Sequence, residues 1–212
     1  MKKLVFTKDA FVVGENALSY LKELGAKKAV IVTGGKSMFQ TGVIDTAEKY
    51  LKESGCEVAV YSGISKNPTV AQAKEGLACL RKEKPDTVVA IGGGSPIDAA
   101  KIMTLFYDFP ELDFDNVFDH DLSSLTLKTQ FVAVPSTSGT ASEVTHVGVI
   151  TYEEKEYKFA IRTEAIRPKV AILDPALPKS LPASVAAETG MDALTHALES
   201  YINKNGNDFT YA

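Results

Sequence analysis

Three observations predict an α/β fold, a mostly parallel sheet with flanking helices that gives way to helices alone near the C-terminal end. Short apolar runs such as Ala29-Val30-Ile31-Val32 and Thr87-Val88-Val89-Ala90-Ile91 recur without polar alternation, as strands buried on both faces do. Helical patterns separate these runs, so successive strands are joined by crossovers and run parallel. Beyond Pro178 the strand-like runs stop.

The elements follow in order. Leu4-Val5-Phe6 and Phe11-Val12-Val13 read as paired strands around a turn at Lys8-Asp9, and Gly14 opens a helix near residues 16–24. Ala29-Val30-Ile31-Val32 is the first buried strand and ends in Thr33-Gly34-Gly35-Lys36-Ser37. A helix over residues 43–54 follows, with Gly55 as its C-terminal stop. Val58-Ala59-Val60-Tyr61 is the second strand and residues 70–82 the second helix of this theme. Thr87-Val88-Val89-Ala90-Ile91 runs straight into Gly92-Gly93-Gly94-Ser95, and a helix spans residues 96–105. Phe131-Val132-Ala133-Val134 is closed by Pro135, and Val170-Ala171-Ile172-Leu173 is the last strand. Crossovers should be right-handed, which leaves few topologies, a Rossmann-like sheet among them. Residues 182–188 and 191–201 read as two helices separated at Thr189-Gly190. They are too few to complete a helical domain, and Phe209-Thr210-Tyr211-Ala212 carries no stop signal, so the expectation is a truncated domain.

Composition narrows the function classes. The 212 residues are 45% hydrophobic and 24% charged, and 23 Lys and Arg against 27 Asp and Glu leave a net charge of −4. These are values of a soluble globular protein. No basic stripe points to nucleic acid, and no apolar run nears the roughly 20 residues of a membrane span. Lys2 and Lys3 precede an apolar run too short for a signal peptide, interrupted by Lys8 and Asp9. Cys56 and Cys79 sit in different elements as small hydrophobes, which argues for a reduced, cytoplasmic setting.

Three segments carry candidate chemistry. Gly92-Gly93-Gly94-Ser95 lies between a strand and a helix, where glycines admit a ligand close to the backbone and the helix start favours phosphate. A tight turn without a ligand is the plainer alternative. Asp98 is placed to cap that helix start, unless its charge is used on a hydroxyl or an N–H. Pro135-Ser136-Thr137-Ser138-Gly139-Thr140-Ala141-Ser142-Glu143 follows another strand with five hydroxyl-bearing residues. It offers donors to a shared ligand at the strand ends, or is simply a polar turn. Asp192 and His196 stand four apart on one helix face. An oxygen and a nitrogen donor one turn apart suit a divalent first-row metal, though the same pair also occurs as a weak surface contact. His120 and His146 sit in contexts that do not point to metal.

The three segments together resemble the iron-containing alcohol dehydrogenases: Gly92-Gly93-Gly94-Ser95-Pro96-Ile97-Asp98-Ala99-Ala100-Lys101, the hydroxyl-rich stretch from Pro135 to Thr145, and Gly190-Met191-Asp192-Ala193-Leu194-Thr195-His196-Ala197-Leu198-Glu199. Asn67-Pro68-Thr69 and Leu173-Asp174-Pro175 add to the likeness. The resemblance implies a dinucleotide-binding domain over residues 1–177 and the start of a helical metal-binding domain over residues 178–212, with the active site between them. It implies that Gly94 and Ser95 hold the pyrophosphate, that Thr137 and Thr140 contact the cofactor from the second loop, and that Gly93, Asp98 and Ser138 belong to the same cofactor site. Lys158 reaches it from a following hairpin, and Asn67 and Leu177 line the adenosine side. Asp192 and His196 are then two of four ligands to Fe2+, or to Zn2+. The implied reaction moves a hydride between an alcohol or aldehyde and NADP or NAD, in a homo-oligomer such as a dimer, and a chain with two of the four ligands is expected to bind cofactor without turnover.

The Thr33-Gly34-Gly35-Lys36-Ser37 loop lacks the carboxylate that binds a ribose 2′-hydroxyl in NAD-specific folds. Gly34 and Gly35 leave space, Lys36 offers charge and Ser37 a donor, so NADP is the expected nucleotide. Two other classes remain: a non-catalytic nucleotide-binding module, and a metal-dependent lyase like dehydroquinate synthase.

Overall fold

A six-stranded, all-parallel sheet organises the computed structural model, which describes residues 6–204 together with Gly206 and Thr210. Its strands are β1 (Ala10–Val13), β2 (Lys28–Gly34), β3 (Glu57–Ile64), β4 (Thr87–Gly92), β5 (Gln130–Pro135) and, after a separate hairpin, β8 (Val170–Leu173). They lie in the order β1-β8-β5-β4-β2-β3. The hairpin pairs β6 (Val147–Tyr152) with β7 (Tyr157–Arg162) in antiparallel register. Helices α1 (Ser37–Gln40), α2 (Val43–Glu53), α3 (Val70–Glu83), α4 (Gly94–Asp108) and α5 (Ala183–Ile202) complete the frame with short 3-10 segments.

The continuous apolar runs are buried on both faces, because side chains alternate across a strand. Val30, Val32, Val88, Ala90, Phe131 and Ala133 enter a core shared with α3, α4 and the hairpin. Ala29, Ile31, Val89, Ile91, Val132 and Val134 enter a second core under α2 and the 3-10 helix Ala17–Glu23. Cys56 and Cys79 are free.

Four expectations are corrected. Leu4 and Val5 lie outside the described residues, and β1 pairs parallel with β8 rather than with a preceding strand; Lys8 and Asp9 donate to the carbonyls of Pro168 and Lys169 instead of closing a turn. The helix near residues 16–24 is a 3-10 helix. The helix after the glycine turn starts at Gly94, not Pro96. The two C-terminal helices are one, α5, which passes through Thr189 and Gly190 without a break; glycine inside a helix costs about 1 kcal/mol, too little to end it. Leu194 and Leu198 are exposed, and no described residue of α5 is buried. Among the described residues no helix is long and apolar enough to cross a membrane.

Strand order sets the place of a site. The chain leaves β2 toward β3 on one side and reaches β4 and β5 on the other. That reversal opens a crevice outside the carboxyl ends of the strands.

Candidate functional site

A crevice of about 750 Å³ occupies this switch point. The ends of β2 and β4 are pinned side by side by Thr33, whose buried hydroxyl donates to the Ile91 carbonyl at 2.8 Å. Just beyond, Gly92 adopts φ +148°, and the chain turns directly into α4. The glycines are also needed for packing. A Cβ on Gly92 would stand 2.6 Å from Pro96 Cγ, and one on Gly94 would stand 2.9 Å from Thr140 Oγ1 and Cγ2. The hydroxyl-rich loop therefore lies directly against the glycine turn. Gly93 caps α4 without a side-chain bond, so the leading N–H groups of the helix and its dipole are left to an anion.

Eleven of the residues expected in a cofactor site line the crevice: Gly34, Gly35, Ser37, Asn67, Gly93, Gly94, Ser95, Asp98, Thr137, Thr140 and Lys158. Three do not. Lys36 and Ser138 are exposed and outside the lining, and Leu177 is buried in the second core. The lining also includes residues to which the sequence assigned no site role, among them Lys66, Thr151, Glu188 and Thr189. Lys66 directly precedes Asn67-Pro68-Thr69, and that adjacency was the available signal.

Lys158 is held from two sides. It stands opposite Thr151 in the hairpin, and Thr151 N donates to the Pro68 carbonyl at 2.8 Å. The Lys158 amine donates to Asn67 Oδ1 at 2.8 Å, with Asn67 in the left-handed region at φ 59°. Thr69 then caps α3 in a capping box with Gln72. Strand end, hairpin and helix start thus converge on one lysine.

Asp98 does not cap α4. It accepts from Ser142 Oγ at 2.7 Å and from Val149 N at 3.1 Å, so its charge is spent on a hydroxyl and an amide. One turn on, Lys101 is wholly buried and donates to Thr145 Oγ1 at 3.0 Å and the Val147 carbonyl at 2.8 Å, with Asp98 Oδ1 3.9 Å away. Burial pushes the Lys101 amine down to about 8, against the pull of Asp98 and Glu143. Burial pushes the carboxyls of Asp98 and Glu143 up. Together the pair fastens the hydroxyl loop and the hairpin to α4, the helix that begins with the glycine turn.

Asp192 and His196 are on α5 beyond the crevice lining. His196 Nε2 lies 3.5 Å from Asp192 Oδ1, with side chains 64% and 42% exposed. Among the described residues no third His, Cys, Asp or Glu joins them in a group able to hold a metal. The donor types suit iron or zinc, and two donors make part of such a site. The first turns of α5 do form a wall of the crevice: Glu188 Oε2 accepts from the Lys66 amine at 2.9 Å, and a Cβ on Gly139 would stand 2.5 Å from the Thr189 carbonyl oxygen.

The family model for iron-containing alcohol dehydrogenase matches residues 2–175. An NADPH-dependent butanol dehydrogenase of Clostridium saccharobutylicum is 43% identical over 211 residues, 99% of this chain and 54% of that protein. The structure of an iron-containing alcohol dehydrogenase from Thermococcus thioreducens matches with a TM-score of 0.89 and 38% identity, over 97% of this chain and 56% of that one. An NADH-dependent butanol dehydrogenase A of Thermotoga maritima matches with a TM-score of 0.86 and 27% identity, over 98% of this chain and 53% of that one. The chain spans about half the length of these relatives.

Proposed function

Because this chain belongs to the iron-containing alcohol dehydrogenase family, we propose that it holds the nicotinamide nucleotide of an enzyme that moves a hydride between an alcohol–aldehyde pair and NADP or NAD. One observation carries this reading: the glycine turn at the start of α4, the hydroxyls of Thr137 and Thr140, and Lys158 all border one crevice at the switch point of the sheet. Backbone N–H groups at a helix start and convergent hydroxyls are what a pyrophosphate requires, and a crevice of this size suits a cofactor.

When bound, the nicotinamide accepts the hydride and a divalent ion, Fe2+ or Zn2+, polarises the alcohol oxygen. This chain's own residues bind and orient. Gly93, Gly94 and Ser95 receive the phosphates, Thr137 and Thr140 donate from the facing loop, and Asn67 aims the Lys158 amine. Asp192 and His196 supply two donors to the ion.

The two butanol dehydrogenase relatives are named for different nicotinamides, so the choice rests on this chain's own β2 loop. No carboxylate stands there, and nothing lies within 4 Å of a Cβ on Gly35. We take NADP as the nucleotide.

The chain has no Trp, so reduced-nicotinamide fluorescence reports binding with little interference. Titration should give saturable NADPH binding, tighter than that of NADH. A folded chain that binds neither would refute the crevice as a nucleotide site.

A further inference from the structure

Of the cations near the end of β2, the one that reaches the crevice is not Lys36. Gly34 pairs with Ile64 across the sheet, so Ser65 and Lys66 leave β3 alongside Gly35, Lys36 and Ser37 as these leave β2. Gly35, Ser37, Ser65 and Lys66 line the crevice and Lys36 does not. The Lys66 amine crosses to Glu188 Oε2 at 2.9 Å, with side chains 80% and 61% exposed. The crevice's other carboxylate, Asp98, is already taken by Ser142 and Val149.

We propose that Lys66 is the residue by which this chain tells NADP from NAD: its ammonium leaves Glu188 and takes the 2′-phosphate. The inference rests on the crevice being a dinucleotide site. An ion pair between two exposed, flexible side chains is weak, so Lys66 is released easily and Glu188 returns to water. A phosphate monoester carries about −1.5 to −2 charge and three acceptor oxygens, against one charge on Glu188. NADH presents a hydroxyl at that position and offers nothing to displace the carboxylate. Gly35 leaves the room the phosphate needs, with no heavy atom within 4 Å of a Cβ built on it.

The test is titration of the full chain and the variants Lys66→Met, Lys66→Arg, Glu188→Gln and Lys36→Met with NADPH and NADH, at low and high ionic strength. The ratio of NADPH to NADH affinity should fall about fivefold to tenfold in Lys66→Met, as expected for one partly exposed charge contact. It should survive in Lys66→Arg, rise in Glu188→Gln, and shrink for the parent chain as salt screens the contact. An unchanged ratio in Lys66→Met, or a loss carried by Lys36→Met instead, overturns the assignment. Equal binding of the two nucleotides by the parent chain also overturns it while leaving the crevice as a dinucleotide site; binding of neither removes both.

Discussion

Replacing Lys101 with Met probes the buried pair that holds the crevice together. The ammonium donates to the oxygens of Thr145 and Val147 and feels the charges of Asp98, Glu143 and Arg167. Breaking one side of a buried pair costs about 3–5 kcal/mol. Asp98 keeps two donors and borders the crevice, so the low end, about 3 kcal/mol, is expected at neutral pH. The pH dependence is the sharper readout. Lys101 falls from 10.5 to about 8 on folding, which corresponds to about 3 kcal/mol. Between those values the unfolded chain holds a proton the folded chain has released, so the stability of the parent protein rises with pH across that window. The variant has no such group. Urea unfolding at neutral pH and at about pH 10 should therefore show the gap between parent and variant widening by about 2–3 kcal/mol. A gap that stays flat or narrows would mean that the amine is not held in a dry environment, and the reasoning would fail.

Gly35→Asp should lower the NADPH to NADH affinity ratio at least fivefold, since Asp tolerates φ +54° and has open space there. Gly34→Asp is the contrasting variant. Its Cβ would stand 2.6 Å from the Ile64 carbonyl oxygen, so it should lower the thermal midpoint instead. Gly139→Ala should push α5 off the hydroxyl loop, because its Cβ would meet the Thr189 carbonyl oxygen at 2.5 Å; faster amide exchange in the first turns of α5 with the sheet unchanged would be seen. His196→Ala should change stability by less than about 0.5 kcal/mol, as an exposed pair does, while reducing uptake of iron or zinc in a titration monitored by metal analysis. A large stability loss would show that the helix pair is structural.

Much of the fold was readable from local pattern. Buried parallel strands need unbroken apolar runs, and Ala29-Val30-Ile31-Val32, Thr87-Val88-Val89-Ala90-Ile91 and Phe131-Val132-Ala133-Val134 form the centres of β2, β4 and β5, which extend one or two residues beyond them. The glycine turn and the hydroxyl loop were readable because their residue types are tied to backbone geometry and donor chemistry. Elements whose identity depends on distant partners were misread. β1 took its partner from β8, about 160 positions away, where a local turn had been expected. Thr189-Gly190 looked like a helix break, yet the cost of one glycine is smaller than the gain from continuing the helix.

The site divides the same way. Sequence by itself determined which residue types stand at the strand ends, and so the class of ligand that the crevice suits. Only the tertiary structure decided which of them meet. It placed Lys66 in the crevice wall and Lys36 outside it, because the register of β2 and β3 sets which side chains flank the switch point. It also turned Asp98 from a helix cap into a clasp on Ser142 and Val149. A half-buried carboxylate takes whatever donors packing brings to it, and those donors lay 44 and 51 positions along the chain.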